Sequence, residues 1–250
     1  MTKLRVKTLN AISASGLTRF PAESYEVGEG VESPDALLVR SAKLHDTPIP
    51  ESVRAIARAG AGTNNIPVAE MTKRGVPVFN PPGANANAVK ELVLAGLFIT
   101  SRNLIPAARF AHELTGTDAE IAKAVEAGKK QFVGFELPGK TLGVIGLGAI
   151  GVRVANAALG LGLKVVGYDP AISVDHAWNL SAEVERAESM EEVFKRADIL
   201  TVHVPLIEAT RGLVSTQRLA LMKHSAVILN FARPEIVDEA AIVSALDQDY

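Results

Sequence analysis

The most informative spacing in the sequence is that of three glycines, Gly146, Gly148 and Gly151, which follow an apolar run and precede a helical pattern. At a strand-to-helix turn, the first glycine permits the tight turn and the second lets the backbone approach a pyrophosphate. The third lets the helix pack closely on the strand, and the helix N-terminus donates N–H groups to the phosphates. The spacing therefore predicts a dinucleotide-binding turn.

Asp169 ends the next apolar run, where an acidic side chain accepts hydrogen bonds from the adenosine ribose hydroxyls. A carboxylate at this point repels a 2′-phosphate, and residues 170–172 contain no basic side chain to hold one. We therefore predict NAD, and not NADP, as the cofactor. The alternative, three glycines in an ordinary turn, is weaker because it leaves the position of Asp169 unexplained.

The composition excludes several other classes of function. The 26 Lys and Arg residues are balanced by 28 Asp and Glu residues, so no global positive field attracts nucleic acid or an anionic membrane, and we predict neither partner. The chain has no cysteine, which excludes disulfides, thiolate nucleophiles and cysteine-ligated metals, and we predict no metal site. The N-terminus lacks the pattern of a signal peptide, and no apolar stretch reaches the ~20 residues of a membrane span. We expect a cytoplasmic protein.

The elements that must position these residues alternate regularly after residue 140. The predicted strands are 141–145, 165–168, 199–204 and 226–230, and the predicted helices are 150–159, 190–196, 216–222 and 239–246. Ser189 with Glu192 is the pattern of a capping box at the start of one helix. This alternation is typical of an α/β fold, and we predict a doubly wound Rossmann domain.

The first 80 residues also predict parallel strands, at 4–9, 25–27, 36–39, 55–59 and 76–79. The segment 51–58 is ambiguous, because its Ala and Arg residues favour a helix whereas the surrounding alternation of strands and turns favours a strand. Pro67 and Gly75 are the start and stop signals of a short helix. Two long helical patterns follow, at 86–102 and 105–127, and they indicate the crossing from a first domain into a second.

Runs along the whole chain resemble the D-isomer-specific 2-hydroxyacid dehydrogenases. They lie at residues 39–42, 58–66, 80–92, 135–143, 203–206 and 230–233. The resemblance implies hydride transfer between a 2-hydroxy acid and NAD. It further implies a flavodoxin-like substrate-binding domain over residues 1–94, a Rossmann cofactor domain over residues 95–250, and a homodimer or higher homo-oligomer. We expect both domains to be incomplete, without the C-terminal return segment.

The resemblance also implies roles for individual residues. Arg233 matches the catalytic arginine that binds the substrate carboxylate, a task that suits a bidentate guanidinium; Pro234 departs from the family's glycine. The other cofactor positions are Ala61, Ala149, Ile150, His203, Val204, Pro205, Phe231 and Ala232, and the substrate positions are Arg40, Ser41, Gly62 and Asn85, with Lys43 as a further cation. The alternatives are turn chemistry for the glycines and Asn85, solvated loop positions for Arg40 and Lys43, a surface position for Arg233, and a structural histidine at 203.

The run at 80–92 and the pair Asn64-Asn65 resemble in particular the members that oxidise D-3-phosphoglycerate at the start of serine biosynthesis. A different acid, such as glyoxylate, hydroxypyruvate or lactate, and a non-catalytic NAD-sensing protein are the alternatives. The family's acid–base histidine and glutamate lie beyond residue 250, and none of His45, His112, His176, His203 and His224 stands in their context. We expect a piece of a longer protein that has negligible turnover alone.

Overall fold

The computed structural model describes residues 2–247 and contains two five-stranded sheets, both parallel throughout. The chain divides into two compact units between Asn85 and Ala86. This division precedes the boundary at residue 94 that the sequence suggests. The reason is that the long helix that starts at Ala86 packs Val93 and Leu97 into the hydrophobic core of the second unit.

The first unit is a flavodoxin-like α/β unit. Its sheet has the order β2-β1-β3-β4-β5, which is the flavodoxin-like order. The elements are β1 (Leu4–Leu9), α1 (Ala14–Leu17), β2 (Tyr25–Gly28), β3 (Ala36–Val39), β4 (Ala55–Arg58), α2 (Val68–Lys73) and β5 (Val78–Phe79). The ambiguous segment contains strand β4, because Ile56 lies fully buried between β3 and β5 and this packing overrides the helical preference of its alanines.

The second unit has the strand order of a Rossmann domain. Its elements are α3 (Ala86–Ser101), α4 (Leu104–Glu113), α5 (Asp118–Gly128), β6 (Thr141–Ile145), α6 (Gly151–Leu159), β7 (Lys164–Tyr168), α7 (Val174–Asn179), β8 (Glu185–Arg186), α8 (Met190–Arg196), β9 (Ile199–Val202), α9 (Thr216–Leu219), β10 (Val227–Asn230) and α10 (Glu239–Asp247). The sheet order is β10-β9-β6-β7-β8. The direction of winding therefore reverses between β6 and β9, the point where such sheets bind nucleotides. Between residues 2 and 247, none of the helices is both long and apolar enough to cross a bilayer.

The structure corrects two predicted helix features. The pattern at 105–127 is two helices, because α4 ends at Glu113 and the Thr117 hydroxyl and the Glu120 carboxylate form a capping box that starts α5. At α8 the Ser189 hydroxyl accepts from the Glu192 N–H, as predicted. The Glu192 carboxylate, however, accepts from the N–H of Glu188 and not from that of Ser189. Helix α7 and strand β8 were not predicted.

A single carboxylate ties the amino ends of three strands together in the second unit. Asp198, just before β9, accepts hydrogen bonds of 2.8 Å from the N–H of Thr141 at the start of β6 and from Lys223 Nζ ahead of β10. Burial alone raises the pKa of this carboxyl, but the bonds from Lys223 and Thr141 outweigh burial and lower the pKa below its usual 3.8. The ionised form therefore stabilises the fold.

We expect Asp198→Asn to lower the free energy of unfolding at pH 7 by about 1–2 kcal/mol, because the amide loses the charged bond from Lys223. A group with a depressed pKa stabilises above its unfolded pKa, and this stabilisation is lost as the pH falls through the folded pKa. The deficit should therefore shrink below pH 3.8. Urea unfolding at pH 7 and pH 3 measures it. Glu183→Gln, at an exposed carboxylate of the same unit, is the control and should change neither value. A deficit that is constant with pH would contradict the assignment.

Candidate functional site

The glycine turn after β6 is closely packed at two glycines and open at one. A Cβ on Gly151 would lie 1.9 Å from the carbonyl oxygen of Gly146, and a Cβ on Gly146, whose φ is 90°, would lie 2.8 Å from the carbonyl of His203. A Cβ on Gly148 would meet no atom within 4 Å. No side chain of residues 2–247 caps the N-terminus of α6. The turn therefore offers free N–H donors and an open approach, as a pyrophosphate requires.

Asp169 is joined to this turn by hydrogen bonds. Its carboxylate accepts from the N–H of Leu147 at 2.8 Å and from the N–H of Ala171 at 2.9 Å. A carboxylate has about four acceptor sites, so two remain for ribose hydroxyls. A cavity of about 510 Å³ opens beside it, lined by Leu147, Ile172, Ala177, Leu180 and Arg186 among others. The position of Asp169 thus suits the predicted ribose contact.

The end of β9 contributes His203, Val204 and Pro205. The His203 N–H donates to the Ile145 carbonyl at 2.7 Å, and its ring Nε2 shares a hydrogen bond of 2.9 Å with the hydroxyl of the buried Thr201. Burial lowers the pKa of His203 to about 4, so its ring is neutral at pH 7. Val204 lies against Gly146, and the Pro205 carbonyl accepts from the Thr210 hydroxyl. These contacts favour a structural role for the His203 ring.

The end of β10 presents Arg233 on a fixed loop. The Asn230 side chain donates to the carbonyl of Arg233 at 2.9 Å and accepts from the N–H of Ala232 at 3.0 Å. Phe231 packs against Gly96 of α3. The guanidinium of Arg233 is exposed and donates to the Ala232 carbonyl, and it has no carboxylate partner within residues 2–247. A cation is therefore available on the sheet edge that carries the glycine turn. Asn230 was assigned no individual role from the sequence, because its hydrogen bonds within the loop leave no signal in a linear pattern.

The candidate substrate residues lie at the carboxyl edge of the first sheet. Arg40 and Ser41 follow β3, and Ala61 and Gly62 follow β4; because β3 and β4 are parallel neighbours, their ends meet at one edge. Arg58 Nε donates to the Arg40 carbonyl at 2.8 Å, the Ser41 N–H donates to Asn10, and the Asn80 amide donates to the Ala61 carbonyl. The side chains of Arg40, Ser41 and Lys43 are exposed, and so is Asn85, further along the loop after β5.

Asn65 holds the loop after Ser41 in place, a role that the sequence analysis missed. Its side chain is buried and donates to the Ala42 carbonyl at 2.8 Å, and its backbone carbonyl accepts from the Leu44 N–H at 2.8 Å. Its Oδ1 is buried and has no hydrogen-bond partner within the described part of the chain. The pair Asn64-Asn65 was the available signal, but only the second of the two points inward.

Together the strand order and the open glycine turn define the second unit as a Rossmann-type nucleotide-binding domain. The chain belongs to the D-isomer-specific 2-hydroxyacid dehydrogenase family, because the model for the NAD-binding domain of that family matches residues 104–250. This finding confirms the predicted family and fold class, and it confirms NAD as the cofactor.

Comparisons with individual proteins support this family assignment. The chain is 38% identical over 238 residues to D-3-phosphoglycerate dehydrogenase of Methanocaldococcus jannaschii, which covers 94% of this chain and 42% of the relative. It is 36% identical to hydroxypyruvate reductase of Thermotoga maritima, covering 88% of this chain and 67% of the relative. The holo form of D-mandelate dehydrogenase from Rhodotorula graminis superposes with a TM-score of 0.80 at 26% identity, covering 100% of this chain and 79% of that one. The chain thus spans about two fifths of the length of the curated phosphoglycerate dehydrogenases it matches.

Alanine at Gly148 and at Gly151 should separate cofactor binding from folding. Gly148→Ala should change the unfolding free energy by less than about 0.5 kcal/mol, because its methyl group meets open space. It should weaken NAD binding about tenfold or more, because the methyl group obstructs the pyrophosphate. Gly151→Ala should destabilise the protein by about 1–3 kcal/mol. Calorimetric titration with NAD and urea unfolding measure the two effects, and unimpaired NAD binding by Gly148→Ala would refute the predicted cradle.

The two adjacent asparagines allow a matched test of what holds the loop after Ser41 in place. Asn65→Ala should lower the unfolding free energy by about 1–2 kcal/mol, because the Ala42 carbonyl loses the hydrogen bond from the buried Asn65 side chain. Asn64→Ala, at an exposed side chain, should cost less than about 0.5 kcal/mol. Urea unfolding of both variants measures the difference, and equal costs would contradict the loop-holding role of Asn65.

Proposed function

We propose that this chain is part of an NAD-dependent D-3-phosphoglycerate dehydrogenase, which oxidises D-3-phosphoglycerate to 3-phosphohydroxypyruvate in the first step of serine biosynthesis. The observation that carries the proposal is the guanidinium of Arg233, which has no carboxylate partner among residues 2–247 and lies on the same sheet edge as the open glycine turn. The relatives at 35–39% identity named D-3-phosphoglycerate dehydrogenase support the choice of substrate.

Arg233 is assigned to the substrate carboxylate. A guanidinium binds a planar carboxylate through two parallel hydrogen bonds and so fixes the orientation of the adjacent hydroxyl-bearing carbon. The loop bonds of Asn230 hold the backbone on both sides of the position from which the Arg233 side chain extends. When bound, NAD supplies the acceptor for the hydride that leaves this carbon.

The residues proposed to hold NAD lie in the second unit, apart from Ala61. Gly146, Gly148, Ala149, Ile150 and Gly151 are assigned to the pyrophosphate, and Asp169 to the adenosine ribose. The backbone around His203, Val204, Pro205, Phe231 and Ala232, with Ala61 of the first unit, completes the assigned contacts. We assign no acid–base residue within residues 2–247, because the ring of His203 is held by Thr201 and the other histidines do not stand in the sequence context of the family's acid–base pair.

Four residues of the first unit are assigned to the substrate: Arg40, Ser41, Gly62 and Asn85. They provide a cation, a hydroxyl, a backbone N–H and a side-chain amide, which are the donors that phosphate and carboxylate oxygens accept. Lys43, exposed on the same loop as Ser41, is a further cation. These exposed donors support a phosphorylated substrate, since an uncharged substituent would have no use for two additional cations.

A second candidate is oxidoreduction of an unphosphorylated acid. The hydroxypyruvate reductase of Thermotoga maritima supports it, because that relative is nearly as similar to this chain and the chain covers 67% of its length. The two candidates differ in the phosphate alone. A pair of substrates that differ only in this group therefore separates them.

We further propose that the protein is a cytoplasmic homodimer, or a higher homo-oligomer, that associates through its cofactor domain. Large apolar side chains are exposed on α3 and α4 and on the later helix α5. They are Leu92, Phe98, Ile99, Leu104, Ile105 and Val125. Several exposed large apolar side chains on neighbouring stretches of chain are typical of an interface between subunits.

The full-length protein should oxidise D-3-phosphoglycerate at least about a hundredfold better, in kcat/KM, than D-glycerate, because only the former can pair with the cations of the first unit. Arg233→Gln should lower kcat/KM for D-3-phosphoglycerate by about a hundredfold or more, and Arg233→Lys should restore only part of it, because lysine cannot bind the carboxylate bidentately. Steady-state kinetics of NADH formation measure both effects.

The control is Lys164→Gln, which removes a positive charge at the amino end of β7 and should leave the kinetics unchanged. Equal activity on D-glycerate would refute the phosphorylated substrate. Full activity of Arg233→Gln would refute the role of the arginine.

A further inference from the structure

The cavity beside Asp169 lies at the carboxyl ends of β7 and β8. Its apolar part includes Leu147, Ile172 and Leu180, and its polar rim consists of Asp169, Glu185, Arg186 and Glu188. The cavity has a volume of about 510 Å³. It therefore leaves room beside the predicted ribose contact for more than the ribose itself.

Arg186 reaches this rim through the pairing of two strands. It lies opposite Gly167 in the register of β7 and β8, two residues before Asp169, and the N–H of Ala187 donates to the Gly167 carbonyl at 2.9 Å. The Arg186 side chain is exposed and forms no ion pair within residues 2–247. Residues 170–172 include no basic side chain. The pairing of β7 with β8 instead places Arg186, from the neighbouring strand, at this cavity.

The charged side chains on the rim of the cavity act on an anion in opposite directions. Glu185 is neutralised by an ion pair with Arg196, which also pairs with Glu192. Asp169 and Glu188 remain as negative groups, and Arg186 is the cation among the described residues that line the cavity. A phosphate entering this cavity would be repelled by Asp169 and Glu188 and attracted by Arg186.

We propose that Arg186, supplied by β8, is a second determinant of nucleotide specificity in this chain, opposed by the carboxylate of Asp169 just after β7. Asp169 excludes a 2′-phosphate, and Arg186 is positioned to hold one as soon as the carboxylate is removed. A guanidinium forms charge-assisted, bidentate hydrogen bonds with phosphate oxygens, and arginine is the residue that Rossmann domains use for the 2′-phosphate of NADP. The proposal rests on the proposed ribose contact of Asp169, and on no assignment of the substrate.

The test is a calorimetric titration of the full-length protein with NAD and with NADP, without substrate. The unaltered protein should bind NAD in preference. Asp169→Ser should bind NADP about tenfold more tightly than the unaltered protein or better, because the repulsion is removed and the cation remains. Adding Arg186→Gln to Asp169→Ser should abolish this gain, while adding Glu188→Gln should increase it.

Lys164→Gln added to Asp169→Ser is the matched control, because it removes an equal charge from the opposite end of β7 and should preserve the gain. If Asp169→Ser does not fold, Asp169→Asn takes its place, since it has the same shape and keeps an acceptor for the Leu147 N–H. Thermal unfolding establishes that each variant is folded.

An undiminished affinity for NADP in the double variant with Arg186→Gln would overturn the role of the arginine. Equal affinities of the unaltered protein for NAD and NADP would overturn the role of Asp169. Because these titrations contain no substrate, their failure is distinct from failure of the proposed oxidation of D-3-phosphoglycerate, which only the kinetic experiment detects.

Discussion

The close contact between the start of α6 and the turn after β6 is the constraint on which the site depends. Gly151 lies so near the Gly146 carbonyl that no side chain fits, and the helix axis is thereby aimed at the space above the turn. The same turn donates the Leu147 N–H to Asp169, so the acceptor for the ribose is fixed by the backbone that faces the pyrophosphate. One turn thus positions both the N–H groups proposed for the phosphates and, through the Leu147 N–H, the carboxylate proposed for the ribose.

The α/β fold could be predicted because buried parallel strands are continuous apolar runs, as in β9, where all four residues are buried. The break between α4 and α5 was missed although Thr117 and Glu120 have the capping-box spacing, because the apolar pattern continues across the break. Strand β8 has two exposed residues and no apolar signal, and it exists only through its pairing with β7. Elements that depend on partners elsewhere in the chain cannot be found from a local pattern.

The residues of the candidate site also divide into those that have a local sequence signal and those that have none. The glycines and Asp169 were found because their chemistry depends on short spacings. Arg186 and Asn65 were not, because the first joins its cavity through the register of two strands and the second binds Ala42 across 23 positions. The sequence predicted candidate ligand-binding groups more readily than the groups that hold the loops around them in shape.

The lowered pKa of His203 makes the free energy of unfolding depend on pH in mild acid. The folded chain keeps this imidazole neutral down to a pH of about 4, whereas an unfolded chain takes up the proton near 6.5. Proton uptake by the unfolded form therefore begins to compete with folding once the surroundings become more acidic than pH 6.5, and the competition is complete below about 4. Because the backbone of His203 lies against Gly146, the stability of the fold around the glycine turn depends on pH between about 6.5 and 4.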